Sequence, residues 1–308
     1  MANTLIGVDY SGSYRIYLTD TTEIVQTAQD IHRTSPLATA GLGRVLTGTG
    51  IMSLLLKREE DSMTVNFCGD GPAGQILAVG HGDGTVKGYI ANPDVELPLK
   101  ADGHLDVGGS LGEGELTVIK DLGLKEPWSG TIAFVSGEIA EDLTAYYYVS
   151  EQQNTSFALG VRVGKDGRVE CAGGLFIQML PGAQEGAISA LEQLLGSMPP
   201  ITESLRQARE QGGLTEEGLL ESLRDRIFQD VPENYFPRTL EYKDIRWQCD
   251  CSRDKMKNAL ATIGIKDLRQ LAEEDDGAEL GCQFCGSKYR FPKDELLELI
   301  DTIQGGKV

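Results

Sequence analysis

The stretch CDCSRDKMKNAL, residues 249–260, sets two cysteines one residue apart and follows them with helix-forming residues. Two such thiols can share a metal ion, join each other under oxidation, or fill space. A second stretch, CQFCGSKYRF at residues 282–291, favours the metal, because it supplies two more cysteines at close spacing. Tetrahedral zinc takes four thiolates at about 2.3 Å, usually from two short-spaced pairs that the fold brings together. The intervening residues, 252–281, are enough for a two-helix excursion that returns the chain. Cys249, Cys251, Cys282 and Cys285 are therefore the expected ligands of one Zn²⁺. The glycine after the second pair, Gly286, lets the backbone curl and aim amides at sulfur. Arg253, Lys255, Lys288 and Arg290 are placed to offset the negative charge of four thiolates in an otherwise acidic chain.

Around these cysteines the tail reads as a helix from 252 to about 263, a stop at Gly264, a second helix from 265 to about 274, and a closing helix in PKDELLELIDTI with proline at its start. Large apolar residues are few, so a unit this small needs a staple. Structural zinc contributes roughly 10–16 kcal/mol to a small module, against roughly 5–15 kcal/mol for the stability of a whole domain. Metal loss should unfold the tail. Thiolates within reach of solvent are open to peroxide or hypochlorite. Residues two apart lie within about 7 Å at Cα, and a disulfide spans roughly 4.4–6.8 Å. The expected disulfides are Cys249 with Cys251 and Cys282 with Cys285.

Upstream, residues 5–180 alternate strand-like and helix-like segments with glycine-rich turns. TVNFC (64–68), TVKGYI (85–90), ELTVIK (115–120), TIAFV (131–135) and GGLFIQML (173–180) read as strands. Leu42, Val45, Leu46, Thr49, Met52 and Leu56 share one helical face, and EIAEDLTAYYYVSEQ (138–152) opens with acidic residues suited to a helix N-terminus. Strands outnumber helices, which suits an α+β domain better than a βαβ repeat. AQEGAISALEQLLGSM, ITESLRQAREQ and LTEEGLLESLRDRIFQD then read as three amphipathic helices. Residues 231–248 hold two prolines, no clear period and four aromatics, and read as a linker. The expected organisation is an N-terminal α+β core domain (1–182), a helical middle segment (183–230), a linker (231–248) and a C-terminal four-cysteine zinc domain (249–308).

Lys and Arg number 28 against 47 Asp and Glu, a net charge of -19. Such a field repels nucleic acid and anionic membrane surfaces. No basic stretch with a following apolar core opens the chain, so cytoplasmic location is the expectation. The weakly polar run 35–56 carries Arg44 near its middle and reads as a helix inside a soluble domain rather than a membrane span. GDGPAG (69–74) matches a dinucleotide fingerprint, yet strand-like QILAV follows where a helix should begin, so it reads as a turn. His81 and His104 sit in turns with no nucleophile placed beside them, and His32 reads as a solvated helix cap. Cys68 and Cys171 read as small buried hydrophobes, and EEDD (273–276) as a solvated helix end.

Taken together, CDCSRDKMKNAL with EEDDGAELGCQFCGSKYRF, and upstream LGRVLTGTGIMSLLLK, GDGPAG, KDLGLKEPWSGTIAFVSGEIAEDL, YYYVSEQ and GGLFIQMLPGA, resemble the heat-shock protein 33 family over essentially the whole chain. The resemblance implies a chaperone rather than an enzyme. It implies a protein inactive while reduced and zinc-bound, which on oxidation loses zinc, forms two disulfides, unfolds its tail and linker, forms a homodimer and holds unfolded clients without ATP. Two rival readings are a thiol-disulfide oxidoreductase using CQFC, normally found near a βαβ pattern, and a zinc-ribbon module contacting RNA or a transcription complex, which the charge disfavours. Independently of the family, Tyr235, Phe236, Tyr242 and Trp247 are the candidate client-binding residues, together with apolar faces of the three middle helices.

Overall fold

Residues 2–304 are described by a computed structural model. The chain divides into two units, one ending at Gln248 and one beginning at Cys249. In the first unit ten strands form one sheet: β1 (Ala2–Asp9), β2 (Tyr14–Asp20), β3 (Ser62–Gly69), β4 (Gln75–His81), β5 (Thr85–Ile90), β6 (Gly114–Asp121), β7 (Trp128–Ala133), β8 (Thr155–Val163), β9 (Val169–Met179) and β10 (Pro237–Trp247). Their spatial order is β7-β6-β3-β4-β5-β10-β1-β2-β9-β8. Neighbours are antiparallel except β10 and β5, which run parallel where Arg246 faces Thr85 and Trp247 faces Val86.

Period-two alternation sorts this sheet's side chains into two cores. Ile6, Tyr17 and Phe176 face one core, while their neighbours Leu5, Ile16, Leu18, Leu175 and Ile177 face the other. The first core is covered by α1 (Thr22–His32), α2 (Pro36–Ser53), α3 (Val107–Leu111) and α4 (Ala140–Ser150). The second is closed by α5 (Glu185–Ser197), α6 (Ile201–Glu210) and α7 (Glu216–Ile227), whose Leu191, Leu194, Leu205, Leu220, Leu223 and Ile227 are buried. The middle helices thus complete the sheet's second face.

Helix α2 starts at Ser35, whose side chain accepts from the Ala38 amide, with Pro36 in the first turn. It is buried almost throughout, as the run 35–56 suggested, and among the described residues no helix is long and apolar enough to cross a membrane. Its glycines permit close approach: a Cβ on Gly50 would lie 2.8 Å from Ile245 Cγ2 of β10. Arg44 reaches Glu138 at 2.5 Å, and Glu138 also accepts from Lys100 and from the Gly108 amide. Burial pushes the Glu138 carboxyl up, but these donors outweigh it and hold the group below the usual range.

Residues 231–248, read as a linker, are instead a 3-10 turn (Glu233–Tyr235) and strand β10, paired with β1 over most of its length. The two prolines sit before the strand and at its first residue, where a missing amide is tolerated. Charged Arg238, Glu241, Lys243, Asp244 and Arg246 hid the strand, since only Ile245 and Pro237 along it are fully buried. Strands β1, β2 and β8 and helix α3 were also not anticipated, α1 was foreseen only by its end at His32, and TIAFV lies partly beyond the end of β7. GDGPAG is a turn between β3 and β4, with the Gly69 amide donating to the Gly74 carbonyl.

In the second unit, α8 (Arg253–Ala261), α9 (Ile265–Glu274) and α10 (Lys293–Gln304) pack with the hairpin β11 (Gly277–Gly281) and β12 (Lys288–Pro292). The hairpin had not been foreseen. Its core is small: Leu260, Leu268, Ala272, Phe291, Leu296, Leu299 and Ile300.

Both tryptophans, Trp128 and Trp247, lie in the first unit, so their fluorescence reports its unfolding. Ile245→Ala should cost roughly 2–5 kcal/mol in urea unfolding followed this way; a change within error would show that β10 is not anchored there. Glu138→Gln should cost about 1.5–3 kcal/mol at neutral pH, the worth of hydrogen bonds to a charged group. Because the folded carboxyl titrates below its ordinary value of 4.5, its contribution is complete above that value and is lost as pH falls through the lower folded one. The gap between parent and variant should close in that acid window, and a gap independent of pH would refute the ionic account.

Candidate metal centre

The first cysteine pair follows β10 in an irregular segment, and Ser252 then caps α8 by accepting from the Lys255 amide. The second pair lies in the loop joining β11 to β12. There the Cys282 amide donates to the Ser287 carbonyl and the Gly286 amide to the Cys282 carbonyl, both at 2.8 Å. Gly286 has φ of +71°, the left-handed conformation that glycine adopts without strain.

These two turns bring four sulfurs together. All of Cys249, Cys251, Cys282 and Cys285 place Sγ within 4.8 Å of one another, with Cys249–Cys282 at 3.7 Å and Cys251–Cys285 at 3.4 Å. Thiolates at 2.3 Å around a tetrahedral ion stand about 3.8 Å apart, so the cluster fits a divalent metal. Among the described residues it is the one group of metal-ligating side chains that can do so.

Burial pushes the Cys249 and Cys282 thiols up. It pushes Cys285 up too, but hydrogen bonds from the Ser287 hydroxyl and amide and from neighbouring thiols bring that group down to about 7. Amides of Phe284 and Cys285 point at Cys282, and the Cys251 amide at Cys249, the arrangement expected of a loop curled around sulfur. Tyr289 Oη lies 3.1 Å from Cys251 Sγ, and that bond, ahead of burial, pushes the phenol up to about 12.

Three of the four cations placed by sequence as charge compensation have other partners. Arg253 pairs with Glu295 at 2.8 Å and stacks on Phe291, Lys255 pairs with Asp250, and Lys288 with Glu279 at 2.9 Å. The groups that touch sulfur are N–H and O–H donors, of which Ser287 and Tyr289 escaped sequence reading. Their only signal was nearness to Cys285.

The four aromatic candidates do not form one surface. Tyr235, Phe236 and Tyr242 pack on the core under α5, α6 and α7, while Trp247 packs on the opposite one, edge-on to His32. His32 also bonds the Gly88 carbonyl at 3.0 Å, so it is not a merely solvated cap. Cys171 is buried, and burial pushes its thiol up to about 11. Cys68 is exposed, contrary to expectation, because it falls on the open face near the end of β3.

An α+β unit closed by helices, followed by a small unit built on four thiols, defines a narrow class of proteins. The model of the Hsp33 protein family matches residues 4–292. The 33 kDa chaperonin of Enterococcus faecalis is 45% identical over 293 residues, covering 95% of this chain and 94% of its own. That of Clostridioides difficile is 42% identical, covering 94% and 95%. A crystal structure of the 33 kDa chaperonin of Thermotoga maritima, a heat shock protein 33 homolog, superposes with a TM-score of 0.84 at 34% identity, covering 98% of this chain and 99% of that one. The chain belongs to the Hsp33 family, which is a family of chaperones and not of enzymes.

Removing one sulfur should loosen the centre without any oxidant. Cys282→Ser or Cys285→Ser is expected to lose metal to a mild chelator and to unfold its tail, read by Co²⁺ titration and by amide exchange in α8–α10. Metal content equal to the parent's would show that the four sulfurs do not act as one site.

Proposed function

We propose that this chain is a redox-regulated, ATP-independent holdase whose tail is the sensor. The observation that carries the proposal is the convergence of four sulfurs in a unit whose described residues include only seven in its buried apolar core, following the end of β10 in sequence. Zn²⁺ held by Cys249, Cys251, Cys282 and Cys285 would supply four sulfur bonds and keep the thiols deprotonated. In the reduced chain the two cysteine motifs are thereby tied together and the tail stays folded.

Oxidation acts on the residues themselves. Each motif gives up two electrons to the oxidant and closes on itself, Cys249 with Cys251 and Cys282 with Cys285, which removes ligands in pairs. The sulfurs are near enough for either pairing, so the short backbone span within each motif favours this one. With the centre gone, the small core of the tail cannot hold its helices against chain entropy.

Unfolding would then propagate into β10, which meets β5 through only two residue pairs. Its loss uncovers apolar residues on both faces of the sheet: Trp247 and Ile245 on one, Tyr242 and the packing of Tyr235 and Phe236 on the other. Unfolded client proteins would bind there and on faces of α5, α6 and α7, and the oxidised chains would pair as homodimers in the cytoplasm. The acidic surface keeps such a complex soluble.

Light scattering of a denatured client without ATP tests this reading. Peroxide-treated protein should suppress aggregation and the reduced, zinc-loaded protein should not, and digestion of the active sample should yield the two intra-motif disulfides. Suppression by neither form would sink the holdase, and a Cys251–Cys285 crosslink in the active sample would sink the pairing.

A further inference from the structure

The four sulfurs are not equally supported by their surroundings. On the reading that Cys249, Cys251, Cys282 and Cys285 hold Zn²⁺, we infer that Tyr289 is a positioning residue of this centre: its hydroxyl donates to Cys251 Sγ, tightens the metal and slows oxidation of that sulfur.

Four observations carry this. Tyr289 Oη stands 3.1 Å from Cys251 Sγ. The residue is fixed there from two sides, by its register opposite Leu280 in the β11–β12 hairpin and by packing of its ring on the tail's core. Across the cluster, Ser287 Oγ lies 3.2 Å from Cys285 Sγ, and the two sulfurs so supported are 3.4 Å apart. The nearby cations Arg253, Lys255 and Lys288 are engaged with carboxylates. A metal-bound thiolate has lone pairs and no proton, so the phenol must be the donor.

The chemical consequence follows from where the electrons move. In oxidation by hydrogen peroxide a Cys251 lone pair attacks one peroxide oxygen, the O–O bond breaks, and hydroxide leaves behind a sulfenic acid. The Cys249 thiolate then attacks that sulfur, forms the S–S bond and displaces a second hydroxide. Two electrons pass from the two sulfurs to the peroxide. A lone pair held by the Tyr289 hydroxyl is less available for the first step. The same bond disperses thiolate charge and orients the ligand, as outer partners do at other metal sites.

Tyr289→Phe in the full chain removes the hydroxyl and keeps the ring. Loaded with Co²⁺, the variant should show its sulfur-to-cobalt charge-transfer band at lower energy than the parent. Its metal affinity should fall by roughly 10-fold, and peroxide-driven metal release, followed with a chelating dye, should quicken several-fold. A role in packing alone would leave the band where it is. An unmoved band with an unchanged release rate overturns the inference. If the variant does not fold, the parent loaded with cadmium-113 decides: a slowly exchanging Tyr289 hydroxyl proton coupled to the metal supports the bond, and a fast-exchanging, uncoupled one overturns it. A parent that takes up no metal overturns the four-cysteine reading and this inference together, whereas a metal-binding parent with an indifferent variant overturns the inference alone.

Discussion

The second unit is organised around four sulfurs that meet within 4.8 Å. Its three helices and two-stranded hairpin bury a core built largely from four leucines, an isoleucine and one phenylalanine. Burying such a side chain contributes about 1.5–3 kcal/mol, while ordering each residue of the backbone costs roughly 1–2 kcal/mol. So few buried residues cannot offset the ordering of a unit this size by themselves. A metal held by the four sulfurs would supply the missing bonds, and the proposed sensor rests on that constraint.

Strand β10, in the first unit, is itself a product of distant pairing. It occupies an interior position in the ten-stranded sheet, yet it is held unevenly, by a long antiparallel ladder to β1 and a two-residue parallel contact with β5. Its one fully buried aliphatic side chain, Ile245, sits against Gly50 of α2, where any larger residue would collide. A strand so placed is stable only while its neighbours are. Its charged residues set it apart from the uniformly apolar runs usual for interior strands.

Electrostatics around the sulfurs is arranged at short range. An acidic chain is expected to gather cations about a cluster of thiolates, but Arg253, Lys255 and Lys288 complete ion pairs of their own. Amides and hydroxyls meet the sulfurs instead, the hydroxyls of Tyr289 and Ser287 at 3.1 and 3.2 Å, where a hydrogen bond is directional and little screened. The outcome is asymmetric. Cys285 is brought down to about 7 while Cys249 and Cys282 are pushed up by burial, although all four share one cluster.

Much of this was legible in the amino-acid sequence, and the reason is that local rules govern the parts that were read. Cysteine spacing, the glycine after Cys285, the stop at Gly264 and the helix-forming residues of the tail each act within a few residues, so the sequence alone defined the four-sulfur set and the helices around it. The strands with clear alternation were equally open to reading, and so was the buried helix α2. The tertiary structure alone decided the rest. It made a strand of the charged segment 237–247, because pairing with β1 and β5 supplies hydrogen bonds that no local pattern announces. It parted Trp247 from Tyr235, Phe236 and Tyr242 onto opposite faces, exposed Cys68, and turned Tyr289 toward Cys251. Those outcomes depend on which distant residues meet across a sheet or a loop, and the free energy that chooses them resides in long-range contacts rather than in the neighbourhood of each residue.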